Sequence, residues 1–382
     1  MARLVVVLFS VWLAVAPPAS AQVALPFVGD ELRRVLALGP WPPAPRIDPG
    51  NRVSGQLAAI ELGRHLFRDP RMSPVGYIAC VTCHQPDRSF TDTLARAHGL
   101  ADLPRNTPAL ANLNQQRWFG WGGSSDSLWM ASIRPILDAR EFGGSAASVT
   151  RLFARDAELA ACYAQVFGVS PLSRPELTLV NVGKALAAYV ETLTTGRTPF
   201  DEYRDALARG DGAASATYPV AARRGLQLFV GRAGCIECHR GPNFSDGEFH
   251  ASVASSANAG GLRFASDGGR FDDARSLQAS PLNLLGRHND QAGRGNAAAT
   301  RRLLVHDGLR GQYRTASLRN VTVTAPYLHD GRVEHLRDAV RHTDGDLSAQ
   351  ELDDLVAFLT TLTDRDAERR PWIASAMTTR CP

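Results

Sequence analysis

Two short cysteine motifs are the groups in this 382-residue chain whose spacing most directly indicates chemistry. They are Cys80-Val-Thr-Cys83-His84 and Cys235-Ile-Glu-Cys238-His239. In such a motif the two thiols can reach the two vinyl groups of one porphyrin, and the adjacent histidine can bind the iron. A zinc site would need a second Cys-x-x-Cys or a histidine pair close to each motif, and the sequence has neither there. We therefore expect two covalently attached haem c groups, with the two histidines as iron ligands.

Each cysteine motif follows a helical segment of the same kind. Both segments contain the pattern Gly-x-x-Leu-Phe, at residues 63–67 and 225–229. Because the pattern and the motif recur in the same order, we interpret the chain as an internal duplication of one helical unit. Residues 148–168 and 174–195 are predicted to be helices, and residues 347–362 an amphipathic helix. Strand signals are few, so the sequence predicts a mostly α fold.

Composition and charge exclude two classes of protein. Apolar residues make up 44% of the chain, which is enough for real hydrophobic cores and argues against wholesale disorder. The formal net charge of +4 is too weak a balance to indicate a nucleic-acid partner. We therefore expect a globular protein that does not bind nucleic acid.

The N-terminus has the pattern of a secretory signal. In residues 1–21 a basic start precedes a short apolar run and a small-residue cleavage site before Gln22. The run is shorter than a membrane-spanning helix requires, and no other segment could span a bilayer. The sequence therefore predicts a cleaved signal peptide and a periplasmic protein without a stable membrane span. In that oxidising compartment Cys162 and Cys381, which lie outside the motifs, either form a disulfide or remain free thiols.

The remaining chain is predicted to have two haem-binding parts. Residues 22–54, which include a Pro- and Gly-rich stretch, form an N-terminal linker. Residues 55–207 form the N-terminal unit and residues 219–382 the C-terminal unit, separated by the Gly- and Ala-rich segment 208–218. Residues 251–300 have weak periodicity, and we expect a long excursion with short helices at best.

The residues around the motifs resemble the bacterial diheme cytochrome c peroxidase/MauG family over roughly residues 55–365. The stretches that carry the resemblance are Glu61–Ser73, Arg105–Leu110, Trp121–Leu128, Arg134–Phe142 and Ser317–Arg332. The last contains Ala-Pro-Tyr-Leu-His-Asp-Gly and is highly specific to the family. The resemblance implies two cytochrome c-like helical domains packed together, each with one covalent haem c.

The resemblance also implies roles for individual residues. It makes His84 the proximal ligand of a peroxidatic haem and His239 that of an electron-transferring haem. Glu141 corresponds to the distal acid–base group, for which a carboxylate is suited because it can take a proton from one peroxide oxygen and give it to the other. Trp121 corresponds to a tryptophan between the haems, where an oxidisable indole can relay electrons. By themselves, Glu141 would be interpreted as a solvated helix-end charge and Trp121 as core packing.

An interdomain calcium site is implied in the same way. Asn106, with the backbone carbonyl groups of Thr324 and Pro326, corresponds to the family's calcium ligands. An amide oxygen and two carbonyl oxygens are ligands that a hard cation accepts. We therefore expect a calcium ion in addition to the two haem c groups.

Three positions depart from the family pattern. Leu100 stands where many peroxidases carry a histidine that ligates the resting iron, and His98 lies two residues earlier, so the first haem is expected to be open. Ala131 stands where a glutamine commonly faces peroxide. Thr343 stands where a methionine or tyrosine binds the second haem, and His342 precedes it. Either His342 is the ligand after a one-residue slip, or the second haem is open or differently ligated.

The activity implied by the resemblance is reduction of hydrogen peroxide to water. Electrons would come from a small periplasmic redox protein, either a cytochrome c or a blue copper protein, through the second haem. Two alternatives stand beside it: MauG-like oxidation of aromatic side chains on a partner protein, and a diheme electron carrier without turnover. The carrier would need both irons to be six-coordinate, which Leu100 and Glu141 argue against.

Overall fold

A computed structural model describes residues 27–251, 267–342 and 346–365, and it confirms the mostly α fold. Its helices are α1 (Gly29–Leu36), α2 (Leu57–Arg68), α3 (Cys80–Cys83), α4 (Leu128–Leu137), α5 (Ala146–Ala154), α6 (Ala157–Phe167), α7 (Pro175–Val190), α8 (Pro199–Arg209), α9 (Gly212–Ala216), α10 (Val220–Val230), α11 (Arg270–Ala279), α12 (Ala298–Arg301), α13 (Leu336–Arg341) and α14 (Ala349–Thr360). Two short strands, β1 (Phe249–Ala251) and β2 (Gln312–Arg314), pair antiparallel with Phe249 opposite Arg314.

Helix α7 lies at the centre of the first hydrophobic core. Residues 178–190 of this helix are all buried, and they are apolar or aromatic apart from Thr178, Asn181 and Lys184. Helices α2, α4 and α5 pack on α7, and α6 packs on both α2 and α5. Most of this core therefore comes from one continuous stretch of chain, from Val53 to Leu193.

The second hydrophobic core is built around the pair α10 and α14. Its buried side chains include Leu226 and Phe229 from α10 and Leu355 and Phe358 from α14. Helix α1 packs on both α8 and α10, so the beginning and the end of the described chain meet in one core.

The membership of this second core differs from the boundaries expected from sequence. Those boundaries put residues 22–54 in a linker and residues 199–207 in the first unit. In the structure Phe27 and Val35 near the N-terminus and Phe200 in α8 are fully buried in the second core. These apolar side chains pack there because α1 lies directly against α8 and α10, a contact between segments too distant in sequence for periodicity to show.

The two cores contain the same close helix crossing. A Cβ atom at Gly63 of α2 would overlap the carbonyl oxygen of Ala185 in α7, and one at Gly225 of α10 would overlap that of Asp354 in α14. One turn further along, the ring of Phe67 packs on Tyr189 with centroids 5.2 Å apart, and that of Phe229 on Phe358 at 5.0 Å. The repeated Gly-x-x-Leu-Phe pattern thus serves one purpose twice: the glycine permits the approach and the phenylalanine fills the space beside it.

The described part of the excursion after β1 is more regular than the sequence suggested. Helix α11 has ten residues, and Leu277 and Leu284 are buried in the first core. The ammonium group of Lys184 in α7 donates to Asp290 at 2.6 Å and to the carbonyl oxygen of His288 at 2.8 Å. Two buried leucines and the ion pair between the buried Lys184 and Asp290 therefore fasten this segment to the first core.

Three expectations fall on residues outside the described ranges. They are the signal peptide at 1–21, the ligand position Thr343 and the cysteine Cys381. Cys162 belongs to a disulfide, and its pairing with Cys381 stays a prediction. Among the described helices, none combines the length and the apolar character needed to cross a membrane.

Candidate haem and peroxide site

The first cysteine motif forms one short helical turn that ends at His84, whose ring is fixed by a hydrogen bond. Cys80 and Cys83 begin and end α3, and His84 follows as its C-cap. The Nδ1 of His84 lies 2.8 Å from the carbonyl oxygen of Phe90. A carbonyl group can only accept, so Nδ1 carries the proton and Nε2 keeps its lone pair for a metal. Burial lowers the pKa of His84, which favours the neutral, ligating form of the ring.

The second motif repeats this arrangement. The Nδ1 of His239 lies 3.0 Å from the carbonyl oxygen of Phe244, and burial again lowers the pKa of the histidine. Phe90 and Phe244 both adopt left-handed backbone conformations, with φ of 61° and 49°. Bulky residues rarely do so, and here the turn aims each carbonyl group back at its histidine. In both motifs the histidine ring is therefore protonated at Nδ1, and its Nε2 keeps the lone pair with which it could bind an iron.

The thiols of both motifs fit covalent attachment of haem. All four motif cysteines are free thiols, and the two cysteines within each motif do not form a disulfide with each other. Burial raises the pKa of Cys80 to about 12 and that of Cys83 to about 11, and it raises the pKa of Cys235 to about 11. Protonated, unpaired thiols beside a neutral imidazole are the donor set that haem c requires, so the residues present fit that group.

Glu141 lies close to the first motif. It follows α4 in a turn whose carbonyl groups, at Arg140 and Glu141, accept the backbone N–H groups of Ala101 and Leu100 at 2.9 and 3.2 Å. Burial, followed by the negative charge of Asp138, raises the pKa of Glu141 to about 7. The negative charge of Glu141 in turn raises the pKa of both motif thiols, Cys80 and Cys83, so Glu141 lies within electrostatic reach of them.

A carboxyl group in this state can both accept and donate a proton near neutral pH. A helix-end glutamate in solvent would keep a pKa near 4.5 and would be ionised throughout. The geometry therefore favours the acid–base interpretation of Glu141 over the solvated-charge interpretation.

The loop beside Glu141 carries Leu100 at the position where many peroxidases have an iron-binding histidine. Leu100 packs beside Gly143, where an added Cβ would meet its Cδ1 at 2.9 Å. His98 is exposed on the surface, and its Nδ1 lies 2.7 Å from Asp102. Ala131 lies half-buried on α4. His98, the histidine closest in sequence to Leu100, is therefore held at the surface by the carboxylate of Asp102.

Trp121 connects a segment that precedes the second motif with one that follows it. Its indole N–H donates to the carbonyl oxygen of Asn106 at 2.9 Å, and its own carbonyl oxygen accepts the N–H of Arg314 at 2.8 Å. Asn106 precedes the second motif in the chain, whereas Arg314 in β2 follows it. The ring is half-buried, unlike its neighbour Trp118, which is buried in the first core. The indole is therefore held between these two segments by hydrogen bonds on both sides.

The residues expected to bind calcium lie on segments that touch. The backbone N–H of Asn106 donates to the carbonyl oxygen of His329 at 2.8 Å, and its side-chain amide donates to Leu94 at 2.9 Å. The stretch that carries Thr324 and Pro326 therefore lies against the loop of Asn106. Because the amide nitrogen is bound to Leu94, the side-chain oxygen is the atom left for a cation.

His342, the expected ligand of the second haem, lies exposed at the C-terminal end of α13. Its Nδ1 lies 2.7 Å from the carbonyl oxygen of Asp338, one turn earlier in the helix. As in the two motif histidines, this contact leaves Nε2 as the ligating atom. The neighbouring ligand position, Thr343, lies outside the described residues.

A polar cluster near Trp121, which no sequence pattern indicated, connects segments that precede the second motif with segments that follow it. Arg105 forms a two-point ion pair with Asp267 at 2.6 and 2.8 Å and a second pair with Asp273 at 2.7 Å. The ring of Tyr313 stacks on His329 with centroids 3.6 Å apart. Arg105 and His329 belong to the family-like stretches, but their partners fall elsewhere, so no sequence signal connected them.

Comparison with known proteins agrees with these observations. Residues 57–209 match the model of the family described as di-haem cytochrome c peroxidase. The chain is 31% identical over 320 residues to the methylamine utilization protein MauG of Methylorubrum extorquens, covering 79% of this chain and 77% of that protein. It is 28% identical over 349 residues to cytochrome-c peroxidase IdrP2 of Pseudomonas sp. strain SCT, covering 86% and 85%. A solved structure of a MauG-like protein associated with microbial copper homeostasis matches with a TM-score of 0.65 and 25% identity, covering 87% of this chain and 98% of that one.

Proposed function

The chain belongs to the di-haem cytochrome c peroxidase family, and from this premise we propose that it reduces hydrogen peroxide to water in the periplasm with electrons from a small redox protein. Family membership makes it a diheme peroxidase-like enzyme with two haem c groups. A diheme carrier without turnover therefore loses its support. The proposed donor is a cytochrome c or a blue copper protein.

Each half of the molecule is proposed to hold one haem. Cys80, Cys83 and His84 would hold the peroxidatic haem, and Cys235, Cys238 and His239 would hold the electron-transferring haem, with His342 as the distal ligand proposed for the latter. When bound, these groups supply an iron at which peroxide is reduced and a second iron through which electrons arrive. Asn106, Thr324 and Pro326 are proposed to bind a calcium ion where the halves meet.

The protein's own contribution to the reaction is the handling of protons and the placing of a relay. Glu141, as a carboxylate, takes the proton from one peroxide oxygen and returns it to the other as the bond between them breaks. This transfer leaves Glu141 ionised, as it began, so the two protons that reduction to two waters consumes come from solvent and the two electrons come from the donor. Trp121 is proposed to carry the electrons between the two halves.

The observation that carries this proposal is the protonation behaviour of Glu141. Its pKa of about 7 and its electrostatic effect on both thiols of the first motif support the proposal of a proton shuttle beside that motif. Leu100 on the neighbouring loop, in place of a histidine, offers no atom that could bind the iron.

The test is Glu141→Gln, which keeps the shape and removes the titrating group. We expect both haems to remain attached and peroxide turnover to fall at least ~100-fold, the scale of general acid–base catalysis. Glu191→Gln is the matched control, because burial raises the pKa of Glu191 to about 7 as well, while its carboxyl group binds Ser54 rather than a motif. Turnover of Glu141→Gln equal to that of Glu191→Gln would remove Glu141 from the mechanism.

The proposed location and cofactor content need a separate measurement. Mass spectrometry of the protein produced with a haem-ligation system should show a chain that begins at Gln22 and carries two haem groups. A mass consistent with one haem or none would contradict the proposed cofactor content. An intact residue 1–21 segment would contradict the proposed export.

Oxidation of a partner protein is the second candidate function. It is favoured by the MauG relative, the 31% identical protein described above, and by Trp121, whose position suits electrons leaving as well as arriving. The two functions differ in the electron source. A reduced cytochrome c or blue copper protein that supports no peroxide turnover above the buffer rate, although both haems are attached, would favour the partner-protein alternative.

A further inference from the structure

Arg314 is a buried cation without a buried anion beside it. Arg270, Arg314 and Arg319 are exposed by only 3%, 7% and 4%. Arg319 is neutralised by Asp201, whose two oxygens it binds at 2.9 and 3.0 Å. Among the described residues, no carboxylate lies within ion-pair distance of Arg314. Its guanidinium group reaches only the carbonyl oxygens of Gly120, at 3.3 Å, and Thr315, at 3.4 Å.

Two long contacts to carbonyl groups do not offset the cost of burying a charge. A buried cation is retained in proteins when an anion or several strong hydrogen bonds compensate for its lost hydration. Burial alone lowers the pKa of Arg314 to about 10, with no opposing contribution from an acidic group. The site of Arg314 is therefore incomplete without an anion that the described chain does not provide.

The position of Arg314 connects it to the second motif. The next residue, Thr315, donates its N–H to the carbonyl oxygen of Glu248 at 2.9 Å and accepts the hydroxyl of Ser245 at 2.7 Å. Both partners lie on the loop that follows His239. On its other side, Arg314 donates its own N–H to the carbonyl oxygen of Trp121. The guanidinium group thus lies between the second haem-attachment loop and the proposed relay.

Arg270 adds positive charge to the same place. It donates to the carbonyl oxygens of Gly122 and Gly123, at 3.0 and 2.9 Å, directly after Trp121. Its guanidinium group lies between the rings of Trp118 and Phe249, with centroids 4.6 and 4.0 Å away. The negative charges of Asp273 and Glu248 partly offset the effect of burial on the pKa of Arg270, whereas no carboxylate does so for Arg314. Of these two buried arginines, Arg314 is therefore the one that lacks a counter-charge among the described residues.

We propose that Arg314 binds a propionate carboxylate of the haem attached at Cys235 and Cys238. A guanidinium fork matches a carboxylate with two parallel hydrogen bonds, and a haem c brings its own carboxylates into the protein. This inference rests on the proposed attachment of a second haem. It makes Arg314 a positioning residue that fixes this haem against the Trp121 segment and tunes its reduction potential.

The charge of Arg314 has a defined effect on that potential. A nearby cation favours the reduced iron, which carries one positive charge less than the oxidised iron. Replacing Arg314 by an uncharged residue should therefore make this haem harder to reduce. Arg314→Gln is expected to lower the equilibrium constant for reduction at least tenfold, which corresponds to 59 mV for one electron.

The experiment is a potentiometric titration of the protein with both haems attached. Arg314→Gln is compared with Arg314→Lys, which keeps the charge and should recover most of the potential. Arg310→Gln is the control, since Arg310 lies four residues away, is exposed and pairs with Asp307 at the surface; it should leave both potentials unchanged. The haem that does not react with peroxide is the one followed.

An Arg314→Gln protein with two haems and an unchanged potential would overturn the proposal. If that variant does not accumulate with two haems, resonance Raman spectra of the unaltered protein decide instead. The propionate bending band of the second haem should then have the frequency of a strongly hydrogen-bonded carboxylate and shift in D2O, and a free-carboxylate frequency would also overturn the proposal. A missing second haem in the unaltered protein would contradict the proposed function itself, which mass spectrometry detects independently.

Discussion

The helix crossing at Gly225 provides a direct test of how the second core is built. In Gly225→Ala the new methyl group would overlap the carbonyl group of Asp354, and it would lie 2.9 Å from the Cβ of Phe358. Both atoms are fixed to the backbone of α14, so rotation of a side chain cannot relieve the overlap. Helices α10 and α14 must therefore move apart.

The size of the effect follows from what this movement loosens. Leu226, Phe229, Leu355 and Phe358 are each exposed by 2% or less and pack across the crossing. A gap of about 0.5–1 Å already loses a quarter to a half of a dispersion contact, and an added methyl group in a well-packed core costs typically about 1–3 kcal/mol. With backbone as the obstacle, we expect a loss of about 3 kcal/mol in the free energy of unfolding.

Urea denaturation, followed by far-ultraviolet circular dichroism, measures this loss. Gly212→Ala is the matched control, because Gly212 lies in α9 with no atom within 4 Å of the position that the added methyl group would take; it should be neutral or stabilising by about 0.4–1 kcal/mol. Gly63→Ala makes the equivalent change in the first core and should behave like Gly225→Ala. A Gly225→Ala midpoint equal to that of Gly212→Ala would refute the close crossing.

Three further predictions concern the haem sites. Peroxide turnover should fall as the pH is lowered through about 7, because protonation of Glu141 removes the base that accepts the first proton; a kcat/KM profile that is flat across this range would contradict it. Trp121→Phe keeps an aromatic ring but is harder to oxidise, so electron delivery between the haems should slow while peroxide still reacts at the first; unchanged stopped-flow traces would show that Trp121 only packs. His342→Ala should abolish the low-spin spectrum of the second haem, and an unaltered spectrum would exclude His342 as its ligand.

The parts of the site that were predictable from sequence are those encoded in consecutive residues. Cys80, Cys83 and His84 must be neighbours in the chain to reach one porphyrin, so their spacing alone indicates haem. The Gly-x-x-Leu-Phe pattern was equally visible, because Gly63 and Phe67 lie one turn apart on one helix face. The structure adds the reason for the pattern, which is the close crossing with α7.

The parts that were not predictable depend on partners that are distant in the chain. The packing of α1 and α8 in the second core follows from contacts between segments more than 150 residues apart, which periodicity cannot report. The pKa of Glu141 is raised mainly by burial, and burial is a property of the folded surroundings rather than of the residue. The isolation of Arg314 from carboxylates likewise exists only in three dimensions.

The meeting of the two chain ends in the second core has a consequence for the order of assembly. The first core comes mainly from one continuous stretch, Val53–Leu193, and can close as soon as that stretch has emerged. The second core needs Phe27 and Val35 from the start of the described chain and Phe358 from its end, so it cannot close before Phe358 has emerged. During this interval α1 lacks part of its packing, and we expect the Cys235–Cys238 turn to stay accessible longer than the Cys80–Cys83 turn. The core beside the first cysteine motif is therefore expected to form before the core beside the second.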